Sequence, residues 1–70
     1  MDEVKVFYDR EGQTLTVWFG DPQEESVCEE TGDEVVLIKN AKGRVIGFEK
    51  LNFKHRPKRN LRLAFETTAD

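Results

Sequence analysis

One cysteine, one histidine and two prolines are all this chain holds of the residues that most often staple, catalyse or stiffen a small protein. Cys28 has no second thiol to bridge, which excludes an internal disulfide framework and fits a reducing cytoplasm. Catalysis needs convergent groups of suitable pKa. His55, set between Lys54 and Arg56, and Cys28, followed by Glu29 and Glu30 whose charge opposes thiolate formation, do not supply them. The acidic residues Glu24, Glu25, Glu29, Glu30, Asp33 and Glu34 lack the loop spacing of a calcium site. Neither Gly12 nor Gly43 stands in a Gly-x-x-x-x-Gly-Lys phosphate loop. No apolar run approaches the roughly 20 residues that span a bilayer, and the opening MDEVKVFYD lacks the basic start and apolar stretch of a signal peptide. The expectation is a cytoplasmic protein that is not an enzyme, holds no metal or cofactor and does not enter a membrane.

What is present is charge in an uneven distribution. Residues 1–34 hold eleven Asp and Glu against Lys5 and Arg10, a net −9. Residues 35–53 and 54–70 each carry +3, the last through Lys54, Arg56, Lys58, Arg59 and Arg62. Two readings follow: the acidic and basic ends attract each other within or between chains, or the basic end meets nucleic acid or an acidic protein. With 70 residues, a domain buries only about 60% of the surface its unfolded chain exposes. Self-association or a lasting partner is the expected source of the missing stability.

The strongest structural signal is VVLIKNAKGRVIGFEKLNF, residues 35–53, where two runs rich in β-branched and aromatic residues flank Asn40-Ala41-Lys42-Gly43. This predicts a β-hairpin whose three-residue loop closes on Gly43 at positive φ. VKVFY and QTLTVWF flank Asp9-Arg10-Glu11-Gly12 in the same way, predicting a second hairpin with Gly12 in the corresponding role. If Asp9 pairs with Gln13 and Asn40 with Arg44, one face carries Phe7, Leu15 and Val17 in the first hairpin and Val36, Ile38, Ile46 and Phe48 in the second. The opposite faces, with Val4, Val6, Tyr8, Trp18, Val35, Leu37 and Val45, are also apolar and need covering.

Gly20-Asp21-Pro22 breaks the chain between the hairpins, and Ser26-Val27-Cys28-Glu29 reads as a short strand. Residues 54–60 form a basic linker after a β domain at 1–53. In the remaining 61–70, Leu61, Leu63 and Phe65 alternate with Arg62, Ala64 and Glu66 and predict a final strand that docks on its own or a neighbouring sheet. The fold class is mainly β: a small antiparallel or rolled sheet of two hairpins with short extra strands.

The run Val6-Phe7-Tyr8-Asp9, then Leu15-Thr16-Val17, then Gly43-Arg44-Val45-Ile46-Gly47-Phe48-Glu49-Lys50-Leu51, resembles a family of short prokaryotic proteins, domain of unknown function 2283. Its usual pattern is YD-x-x-x-D-x-L-x-I followed by DG-x-V-x-GIE-x-L. Gln13 stands where that family usually has Asp, Ile38 where a polar residue is common, and the tail from Lys54 lies outside the pattern. The resemblance implies a small, mostly β domain and transfers no active site; it also implies, through members that look like partners of toxin-like proteins, an antitoxin-like role.

The functional expectation is a binding module that acts on another protein and self-associates, with Tyr8 and Trp18 as interface aromatics. The alternative is RNA or DNA binding through Lys54, Arg56, Lys58, Arg59 and Arg62.

Overall fold

The computed structural model describes residues 3–54 and 61–69. Five strands, β1 (Lys5–Asp9), β2 (Thr14–Trp18), β3 (Val27–Glu30), β4 (Val35–Lys39) and β5 (Val45–Lys50), form one antiparallel sheet in the order β1-β2-β5-β4-β3. Among the described residues there is no α-helix, only a 3-10 turn at Pro22–Glu24. Asp21 starts that turn by accepting the Gln23 N–H at 2.9 Å. Ser26 N–H then reaches the Lys39 carbonyl at 2.8 Å and leads the chain into β3.

The two hairpins do not stack. They join edge to edge through β2 and β5, with Val17 opposite Phe48 and Trp18 opposite Gly47. Gly47 makes this joint possible: a Cβ there would lie 2.7 Å from the Val17 carbonyl oxygen and 3.1 Å from the Trp18 ring.

Each turn is set by its own polar residue. Asn40 Oδ1 accepts the N–H groups of Lys42 and Arg44, both at 3.0 Å, and Gly43 closes the loop at φ +81°. In the first turn Asp9 Oδ1 accepts from Glu11 and Gly12 at 3.1 Å, yet Asp9 pairs with Thr14 and not with Gln13. The loop is therefore one residue longer than expected, and its left-handed residue is Gln13, φ +56°, rather than Gly12. Gly12 serves differently, because a Cβ would come within 2.8 Å of Asp9 Oδ2.

A slip of one residue exchanges the faces of a strand. Phe7 consequently lies opposite Thr16, away from Leu15 and Val17, which face Tyr8 and Val6. A second correction comes from a bulge in β5. Lys39 pairs with Val45 but Ile38 with Gly47, leaving Ile46 as the extra residue. Beyond it Leu37, not Val36, lies opposite Phe48. The Ile46 carbonyl accepts from both Phe19 and Gly20 at 3.0 Å, tying the end of β2 to the bulge. Ile46 is buried together with Ile38, at 6% and 5% exposure; no other apolar side chain among the described residues is comparably covered. This is a single layer with a two-residue core.

The chain leaving β5 straps one end of the sheet. Leu51 donates to the Glu34 carbonyl and Phe53 to that of Gln13, each at 2.7 Å. Both acceptors are loop residues in the left-handed conformation. Around the strap Glu34 takes Asn52 Nδ2 at 3.0 Å and Lys50 Nζ at 3.4 Å, and the Phe53 ring meets Tyr8 edge-on at 5.8 Å. The final strand expected over 61–67 is not formed: residues 61–69 are exposed and without secondary structure. Alternation alone supplies no hydrogen-bonding edge, and the strap carries the chain across the sheet end rather than alongside a strand.

Because only glycine takes the left-handed conformation without steric cost, Gly43→Val is expected to lower unfolding stability by about 1 kcal/mol or more, whereas Gln13→Gly should raise it by about 0.5 kcal/mol. Urea denaturation of the two variants reads the opposite signs. Glu34 titrates below its ordinary value of 4.5, first because Asn52 donates to its carboxylate and then because Lys50 does. A carboxylate depressed on folding adds stability above its unfolded pKa and loses it as pH falls through the folded one. Glu34→Gln should therefore flatten the acid limb of the stability curve below about pH 4.5.

Candidate binding face

Register sorts the side chains into two unlike faces. One bears the row Val6, Val17, Phe48 and Leu37, crossing β1, β2, β5 and β4 in turn, and beside it Tyr8, Leu15, Lys50 and Val35. The other bears Phe7, Thr16, Glu49 and Val36, with Trp18, Gly47, Ile38 and Cys28 alongside. The first face is apolar across four strands. On the second, Thr16 donates to Glu49 Oε2 at 3.3 Å, which holds the glutamate in a cross-strand pair.

Among the described residues no strand or helix packs over the apolar face, and only Phe53 of the strap reaches it, at Tyr8. Its side chains remain partly open, and Val4, Phe19 and Val27 at its margins are about half exposed. Sheets bury such a face against another element, because apolar area removed from water is worth about 25 cal/mol per Å². The charged groups on this face are already matched. Lys39 Nζ lies 2.7 Å from Glu29 and Lys50 Nζ 3.4 Å from Glu34. Such exposed pairs contribute little to stability, but they leave the face close to neutral.

Tyr8 and Trp18, expected to share an interface, lie on opposite faces. Tyr8 belongs to the apolar one, packed edge-on to Phe53. Trp18 lies over Gly47 on the other and is half-buried there. Of the basic residues considered for nucleic acid, Lys54 and Arg62 are exposed; Arg56, Lys58 and Arg59, with His55, lie outside the described residues. Val6, Val17, Leu37 and Phe48 are the residues whose shared surface escaped the sequence reading. Their signal was present as apolar alternation, but both registers were needed to align it.

Chemistry is sparse elsewhere. Among the described residues no group of three or more His, Cys, Asp or Glu side chains is placed to hold a metal ion. A 430 Å³ hollow lined by Glu24, Asn40, Ala41, Lys42 and Arg44 beside the second turn mixes opposite charges without a nucleophile. Cys28 is exposed, and its thiol donates to Glu25 Oε2 at 3.1 Å. That hydrogen bond, with the adjoining negative charge, pushes the thiol pKa up. Alkylation by iodoacetamide at neutral pH should consequently be slower than for an unhindered free thiol, and Glu25→Gln should speed it up.

Residues 5–54 match a family described as "Protein of unknown function (DUF2283)". No curated protein and no solved structure matches the chain.

Proposed function

The chain belongs to the DUF2283 family, and we propose that it is a non-catalytic binding module that recognises protein through the apolar face of its sheet. The observation that carries this reading is the row Val6, Val17, Phe48 and Leu37, half-buried on a sheet over which no other strand or helix of the described residues packs. Nucleic acid calls for uncompensated positive charge, whereas both lysines on this face have carboxylate partners. A small toxin-like protein with its own apolar surface is the kind of partner that fits.

Salt separates this reading from binding through the basic C-terminal segment. Five phosphate contacts to a single strand would cost about 130-fold in affinity between 50 and 200 mM salt, from a slope of about −0.7 per contact. A contact built on the apolar face should change by less than about 3-fold and be abolished by Val17→Lys, while Phe7→Lys on the other face leaves it intact. The measurement is retention of captured protein on the tagged chain at both salt concentrations, beside fluorescence anisotropy with a random single-stranded oligonucleotide. Steep salt dependence with oligonucleotide bound, and indifference to Val17→Lys, would overturn the proposal.

A further inference from the structure

We propose that the outer edge of β1 takes residues 61–67 of a second copy as an added antiparallel strand, each chain giving its segment to the other about a two-fold axis.

Both sides of this contact are open in the single chain. β1 is an outer strand of the sheet, and Phe7 on it is 56% exposed. Leu61, Leu63 and Phe65 are 42%, 70% and 79% exposed and alternate with Arg62, Ala64 and Glu66, as the two faces of a strand do. Yet the segment pairs with neither edge of its own sheet, so the edge left for it is a neighbour's. The unpaired N–H and C=O groups of an edge strand are a template for such a segment.

Charge selects the edge, the direction and the register. If Leu63 and Phe65 continue the apolar face of Val6 and Tyr8, then Arg62, Ala64 and Glu66 fall on the side of Lys5, Phe7 and Asp9. In the antiparallel sense Leu63 faces Tyr8 and Phe65 faces Val6, while Arg62 meets Asp9 and Glu66 meets Lys5. Ala64, the smallest side chain of the segment, meets Phe7. All five residues of β1 gain a partner. A shift of two residues sets Glu66 against Glu3 in one direction and against Phe7 in the other. Run parallel with the same apolar neighbours, the segment sets Arg62 on Lys5 and Glu66 on Asp9. Opposite charges facing across a ladder stabilise it and like charges oppose it. Lys5 has Glu3 of its own chain at 3.5 Å, an exposed pair of little strength, and Asp9 commits Oδ1 to the turn amides. On β3 the apolar side of the segment would instead lie beside Glu29, which faces Leu37.

The chain is long enough for the exchange. Residues 54–61 reach up to about 26 Å, beyond the roughly 17 Å length of β1, so the segment can leave the strap and enter its neighbour's edge. Exchange forms the contact twice and closes it, because each copy has one segment to give and one β1 edge to fill.

The test mixes equal amounts of ¹³C-labelled and unlabelled full chain and records isotope-filtered NOE spectra beside sedimentation over a wide concentration range. The expected result is a dimer with intermolecular contacts from Leu63 to Tyr8 and from Phe65 to Val6. Lys5→Glu or Glu66→Lys alone should weaken it by about 10-fold, since the two-fold doubles each loss. The two together should restore it to within about 3-fold. Glu66 is exposed and outside the sheet, so its replacement leaves the fold of each copy in place. Contacts between the same residues within one chain overturn the inference by returning the segment to its own edge. A monomer with the segment free, a dimer joined β1 to β1 or through the apolar face, or a double variant that stays weak overturns it equally.

Discussion

The joint between β2 and β5 is the constraint from which the rest of the architecture follows. Two hairpins that are local in sequence become one sheet where residues 15–18 pair with 47–50, and at Trp18 and Gly47 the approach leaves no room for a Cβ. An edge-to-edge joint consumes two strand edges and leaves both broad surfaces open. Had the hairpins stacked, their apolar residues would have met in an internal core. Joined as they are, Ile38 and Ile46 are the only apolar side chains among the described residues to become buried.

A second dependence runs through the turns. Gln13 and Glu34 take up a backbone conformation that disfavours any residue with a side chain, and each presents its carbonyl to the chain leaving β5. Strain at one end of the molecule is thereby coupled to closure of that end. Lys50 contributes twice, to Glu34 and to the Leu51 carbonyl at 2.9 Å, and so links the central strand to the strap.

Much of this was legible in the chain's local chemistry. Val, Ile, Phe and Tyr alternating around Asp9 and Asn40 specify two hairpins, because such side chains suit a pleated surface and Asx side chains satisfy turn amides. Gly43 followed the same rule. The faces were harder to read. Two hairpin loops that differ by one residue share nearly the same sequence signature, and Gln13 carries no glycine to mark its left-handed turn. The bulge at Ile46 was equally hidden, since it is fixed by Phe19 and Gly20 from a strand distant in sequence. The Leu61, Leu63 and Phe65 alternation was a true pattern, yet the segment pairs with neither open edge of the sheet, β1 or β3. The candidate face was therefore visible as composition but not as a surface.

The outer strand β3 has a consequence of a different kind. An open sheet edge is a template on which further chains can add, and a flat apolar one invites fibres. Here that strand is Val-Cys-Glu-Glu, exposed along its length, with Glu25 beside it. Two such borders brought together would confront glutamates with glutamates, which disfavours lateral polymerisation. The acidic sequence of β3 thus guards the sheet against growth in its own plane along that edge.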